Sequence, residues 1–97
     1  MTITGEQRRS LAAQAQNLKP LVQIGKNGVT PEQIETIKRD LDQHELVKIK
    51  FNDYKSQKQE LSTQIAESTG SEQVTLIGNT LTLYKRKLDP AKRKIPL

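Results

Sequence analysis

Four consecutive residues, Gly25-Lys26-Asn27-Gly28, place a cation and a carboxamide between two glycines. Glycine lacks Cβ, so its backbone reaches positive φ and lets another molecule's backbone come close. The Lys26 ammonium is a mobile point charge for a phosphate oxygen. The Asn27 carboxamide adds two donors and an acceptor that suit a phosphate or a ribose hydroxyl. A loop of this composition can grip a sugar-phosphate strand without reading its bases, as the Gly-x-x-Gly loop of KH modules clamps about four nucleotides of RNA backbone. Two glycines at a strand-to-helix connection can also serve the turn alone. Glu32, in the first turn of the helix expected to follow, suits that helix's positive end but repels an incoming phosphate. Contact is therefore assigned to the loop and its lysine. The longer nucleotide-binding patterns, Gly-x-x-x-x-Gly-Lys-Ser/Thr and Gly-x-Gly-x-x-Gly, do not occur in the chain.

The second feature is where the charge lies. Residues 1–84 are balanced between Lys/Arg and Asp/Glu, and Lys85, Arg86, Lys87, Lys92, Arg93 and Lys94 against Asp89 supply the whole net charge of +5. A concentrated cationic segment attracts polyanions, of which nucleic acid is the abundant one in a cell. It can equally serve only to keep a small protein soluble. Lys48 and Lys50 alternate with apolar residues and could carry a positive track toward the glycine loop, or simply form the wet face of a strand. Lys19 precedes the first strand. Arg8 and Arg9 sit near the start of a helix, where cations oppose the macrodipole unless a partner offsets the cost. Tyr84, beside the basic run, is the one aromatic placed to stack on a base, whereas Phe51 reads as core. Three aromatics (Phe51, Tyr54, Tyr84) are too few for a stacking platform.

Composition narrows the classes further. The chain has 97 residues, 33% of them apolar, enough for one core. With no cysteine there is no disulfide, thiolate nucleophile or sulfur-ligated zinc. His44 is the single neutral-pH proton shuttle, and its position near a helix end suits a bond to a terminal carbonyl. No metal-ligand cluster or nucleophile-base pair can be named, so neither catalysis, nor a cofactor, nor a small-molecule substrate is expected. No apolar run approaches the roughly 20 residues of a membrane span, and the first residues lack the apolar stretch of a secretion signal. A cytoplasmic protein without membrane contact, acting as a monomer, is the expectation.

The elements that would position these residues follow from periodicity and caps. Thr4 to Gln7 fits a capping box, and Leu11, Ala15 and Leu18 share a helical stripe, predicting a helix over 5–17. Pro20 stops it, and Leu21 to Ile24 reads as a short strand. Thr30-Pro31-Glu32-Gln33 is a second capping box with proline at the first helical position; Ile34, Ile37 and Leu41 extend that helix over 31–43. From Leu46 to Phe51 the period changes to two, with Val47, Ile49 and Phe51 inward and Lys48 and Lys50 outward. Ser56 to Gln59 reads as the cap of a third helix over 57–69, closed by Gly70. Residues 73–77 and 80–84 flank Gly78-Asn79, a turn that joins antiparallel strands. The order is α-β-α-β-α-β-β. A strand-helix-strand unit crosses over right-handed and makes its strands parallel, so an α/β (α+β) domain with a four-stranded mixed sheet and three helices is predicted over 1–87. Residues 88–97 form a basic tail that lacks a fixed conformation when free and could order on a partner.

Three segments together, Leu21-Val22-Gln23-Ile24-Gly25-Lys26-Asn27-Gly28, His44-Glu45-Leu46-Val47-Lys48-Ile49-Lys50 and Ile77-Gly78-Asn79-Thr80-Leu81-Thr82-Leu83-Tyr84, resemble in order and spacing the stand-alone bacterial YhbY-like proteins. These are single copies of the CRM domain, named for chloroplast RNA splicing and ribosome maturation. The resemblance spans about Leu11 to Lys85. It implies a fold similar to the C-terminal domain of translation initiation factor three, RNA binding through a Gly-x-x-Gly loop that follows a strand, and association with precursors of the large ribosomal subunit. The function expected is docking on structured ribosomal RNA through Gly25 to Gly28 and a basic surface drawn from Arg8, Arg9, Lys19, Lys48, Lys50, Tyr84, Lys85, Arg86 and Lys87. The rival expectation is an adaptor whose sheet face binds a ribosomal or assembly protein, with the basic tail incidental.

Overall fold

A computed structural model describes residues 3–95 of the chain. Helix α1 (Gly5–Ala15), strand β1 (Val22–Ile24), helix α2 (Pro31–His44), strand β2 (Leu46–Phe51), helix α3 (Lys58–Thr69) and strands β3 (Glu72–Ile77) and β4 (Thr80–Tyr84) follow in the expected order. The strands lie as β1-β2-β4-β3. Strand β1 runs parallel to β2, and β4 is antiparallel to both β2 and β3. The α2 crossover accounts for the parallel pair, because the chain must return along the sheet before pairing again.

Both capping boxes form. The Thr4 and Thr30 hydroxyls accept the amides of Gln7 and Gln33 at 3.0 and 3.2 Å, and each glutamine side chain accepts the threonine N–H in return. Gly70 closes α3 at φ 69°. The start of α3 differs from expectation. Ser56 is not its cap; a 3-10 turn over Lys55–Gln57 leads in, and no side chain caps the helix. Leu18 also leaves the predicted stripe, because α1 ends at Ala15 and Leu18 lies 40% exposed beyond it.

Helices pack on both faces of the sheet. Val22, Ile24, Val47, Ile49, Phe51, Leu81 and Leu83 meet Ile37, Leu41 and Ile65 of α2 and α3 in the larger core. On the opposite face α1 lays Leu11 and Ala15 over Leu46, Val74 and Tyr84. Strands β2 and β4 are therefore buried on both sides along much of their length, as a central strand between two helical layers must be. The predicted wet face of β2 is correspondingly reduced to Lys50.

Candidate nucleic-acid interface

The glycine loop leaves the C-terminal end of β1 and enters α2. Its closing bond runs from the Gly28 N–H to the Gly25 carbonyl at 3.0 Å. The two glycines have different reasons to be there. Gly28 is buried and sits at φ 68°, with the Tyr54 ring 3.5 Å from where a Cβ would stand, so its backbone conformation alone selects glycine. Gly25 is not in the left-handed region, and a Cβ built on it meets nothing within 4 Å. Of the two glycines, only Gly28 uses the positive φ open to both.

Tyr54 braces the loop from below. Its hydroxyl donates to the Lys26 carbonyl at 2.8 Å, and Tyr54 itself occupies the left-handed region at φ 56°, with its N–H donating to the Asp53 carboxylate at 2.8 Å. The N–H groups of Asn52 and Asp53 both donate to the Ile24 carbonyl, which fastens the β2–α3 connection to the exit of β1. With its main chain fixed, the loop presents the exposed side chains of Lys26 and Asn27 outward. No hydrogen bond or ion pair among the described residues engages either side chain. Lys50, opposite Gln23 in the β1–β2 register, is also exposed and lies at this end of the sheet.

Several candidates have other duties. Tyr84 is 1% exposed in the core under α1 and cannot stack on a base. Burial and the nearby Glu45 charge push its hydroxyl above the ordinary phenol range, against Arg86 and Arg93. The Lys48 ammonium donates to the Ala15 carbonyl at 3.0 Å, offsetting the negative end of α1 rather than extending an open track. The Arg8 guanidinium donates to the carbonyls of Gln73 and Val74; it stitches α1 to the irregular stretch of β3, where the register shifts between Gln73 and Thr75. Arg9 and Lys19 are exposed. Lys19 lines one groove with His44, Leu46, Lys94 and Ile95, which places it with the tail.

The basic segment runs back against Glu45. Glu45, fully buried at φ 62°, follows α2 and acts as its anchor. The Glu45 carbonyl accepts the Lys85 N–H at 2.8 Å. Its carboxylate accepts the main-chain N–H groups of Lys87 at 2.9 Å, Ile95 at 3.1 Å and Lys94. Burial raises the Glu45 pKa, but those three bonds and the Lys87 charge outweigh it and hold the carboxyl below its ordinary value of 4.5. The segment folds back through a 3-10 turn over Pro90–Lys92, and Arg93 donates to the Lys87 carbonyl at 2.8 Å. One buried acceptor thus collects both ends of the segment; Pro96 and Leu97 of the expected tail lie outside the described residues. The Lys85 ammonium donates to the Thr69 carbonyl at the end of α3, and Lys85, Arg86, Lys87 and Lys92 with Lys38 line a shallow cleft.

The glycine loop and this basic segment lie at opposite ends of the sheet. Strand β2 begins at Leu46, paired with Tyr84, and ends at Phe51 beside the loop; five residue steps amount to about 17 Å. Sequence reasoning missed Glu45 and Tyr54. The available signal was positional: each stands where the chain reverses next to a regular element without a glycine to take the turn.

Comparison with known proteins agrees with this architecture. Residues 3–85 match the CRS1 / YhbY (CRM) domain. The chain is 32% identical over 95 residues to a Bacillus subtilis protein named "Probable RNA-binding protein YqeI", covering 97% of this chain and 99% of that one. It is 34% identical over 96 residues to a Haemophilus influenzae protein named "RNA-binding protein", covering 98% and 96%. The solution structure of a hypothetical Staphylococcus aureus protein, described as a candidate RNA binder, superposes with a TM-score of 0.79 at 33% identity over 98% of this chain and all of that one. A domain match across nearly the whole chain, joined to relatives of the same length and fold, makes this chain a member of the CRS1 / YhbY (CRM) domain family.

Proposed function

We propose that this protein binds RNA, gripping the sugar-phosphate backbone with the loop from Gly25 to Gly28, and that its target is ribosomal RNA in a precursor of the large subunit. The observation that carries the reading is the pairing of a braced main chain with bare surface. Tyr54 fixes the loop from one side, while the other side offers an open Gly25 and two uncommitted polar side chains. Such a surface admits a ribose-phosphate chain at close range, and Lys26 meets its charge. The names of the relatives support RNA as the ligand class, and the ribosome-maturation association of the domain family supports the target. Lys50 extends the contact at the loop end. Lys85, Arg86 and Lys87, with Lys92 and Lys94, form a second cationic surface at the far end. Arg9 and Lys19 remain exposed peripheral contributors, and no catalytic step is assigned.

Filter-binding titration against large-subunit ribosomal RNA across a salt series tests the loop. Each neutralised phosphate contributes roughly 0.7 to 0.9 to the slope of log affinity against log salt. Lys26→Ala should lower that slope by about one with the unfolding midpoint unchanged. An unchanged slope removes Lys26 from the interface. Association with ribosomal particles that survives complete RNA digestion would favour a protein-binding adaptor instead.

A further inference from the structure

The face of the sheet under α1 is not covered along its whole length. Helix α1 ends at Ala15, whose carbonyl meets Lys48; in the next row toward the glycine loop Ala12, Ala15 and Gln16 border only Thr80 and Ile77, and Gln23, Lys50 and Ile77 are exposed. That row is set by register: Gln23 is opposite Lys50, Lys50 is opposite Thr80, and Thr80 is opposite Ile77. Directly paired residues point to the same face, so the four side chains cross all four strands in one line. It contains a cation and no carboxylate. Ile77 is 71% exposed and ends the row with an apolar side chain. Gln23 is fixed by the Asn52 carboxamide, and it stands two residues before Gly25.

We propose that this row is where the RNA strand goes after the glycine loop, and that it takes unpaired nucleotides: a phosphate at Lys50, a ribose or base-edge group at the Thr80 hydroxyl, and the face of a base against Ile77. The chemistry is ordered along the line as a single strand needs it, from polar and cationic beside the loop to apolar at the far edge. A duplex, whose bases are stacked inward, would have no group to offer Ile77. Ile77 gives apolar packing without hydrogen-bond readout, so base preference is weak. The inference rests on the reading of the loop as the RNA grip and deepens it by naming single-stranded RNA as the substrate class.

The test uses the isotope-labelled full chain titrated separately with tri-uridylate, hexa-uridylate and a short blunt RNA duplex, followed by amide and methyl spectra. The trinucleotide should move the amides of Gly25 to Gly28. The hexanucleotide should in addition move Lys50, Thr80 and the Ile77 methyls, and Lys50→Ala should lower its salt slope by about 0.7. If the hexanucleotide moves the loop but leaves Lys50, Thr80 and Ile77 still, the row is not the path, although the loop remains the grip. The row is likewise excluded as the path if the duplex alone moves the loop. If no RNA moves the loop, the loop reading falls, and with it the path that continues from the loop along this row.

Discussion

The Tyr54 hydroxyl donates a 2.8 Å hydrogen bond to the Lys26 carbonyl, so a residue from the β2–α3 connection holds the centre of a loop that belongs to the β1–α2 connection. The same ring lies against Gly28. Two chain reversals distant in sequence therefore share one support, and the loop's shape depends on tertiary structure.

Tyr54→Phe keeps the ring against Gly28 and removes the donor. The Lys26 carbonyl is at the surface and regains a water partner, so the stability cost should stay at about 0.5–1 kcal/mol. The larger effect should be local. Exchange of the Gly28 amide, which closes the loop onto Gly25, should quicken, and RNA affinity should fall about two- to fivefold as the loop loses preorganisation. Unchanged exchange at Gly28 would show that ring packing alone sets the loop.

Substitutions at the two glycines should separate folding from binding. Gly28→Val forces a β-branched residue to φ 68° and should cost at least about 1–2 kcal/mol of stability. Gly25→Val meets open space and should change stability by no more than about 0.5 kcal/mol, yet abolish close approach of an RNA backbone. Urea unfolding beside filter binding reads both. A Gly25 variant that binds RNA normally would mean that the ligand does not pass over that residue.

Much of the fold was legible because local patterns and tertiary demands coincide in it. The capping boxes at Thr4 and Thr30, the period of two in β2 and the glycine after α3 each state a boundary through a local bond or a backbone preference. What was not legible is which surfaces meet. Lys48 reads as solvated because alternation reports one buried face, and nothing local says that the end of α1 covers the other. Tyr84 reads as exposed for its neighbours in sequence, but its partner in β2 is Leu46, under the same helix. The glycine loop was found by composition. Its brace was not, because Tyr54 is 28 residues from Lys26.

Arg8 illustrates the same division in a testable form. Its guanidinium spans two β3 carbonyls at the register shift, where the strand's own ladder is interrupted. Arg8→Met retains the aliphatic stem and removes the donors. It should destabilise the fold by about 1–3 kcal/mol, the range for losing hydrogen bonds to a charged group, and leave the salt slope of RNA binding unchanged. A lowered slope without loss of stability would return Arg8 to the RNA surface.

Glu45 ties the basic segment to pH. Its folded-state pKa lies below the ordinary value of 4.5 because, although burial raises it, the N–H groups of Lys87, Lys94 and Ile95 and the Lys87 charge outweigh that burial. A carboxyl with a depressed folded pKa stabilises the fold fully above its unfolded pKa and loses that contribution as pH falls through the folded one. The anchor should hold at neutral pH and weaken below about 4.5. Glu45→Gln keeps the shape but turns one acceptor into a donor facing a main-chain N–H. At pH 7 it should cost on the order of 2 kcal/mol and expose Lys92, Arg93 and Lys94 to trypsin. At pH 3 the Glu45 carboxyl of the unfolded chain is protonated, so part of the stability that the ionised carboxylate contributes is lost, and the gap between the two proteins should narrow. Urea midpoints measured at both pH values give the comparison, with proteolysis at pH 7 reporting on the segment itself. A gap of the same size at both pH values would mean that the carboxylate charge is not what holds the basic segment to the fold.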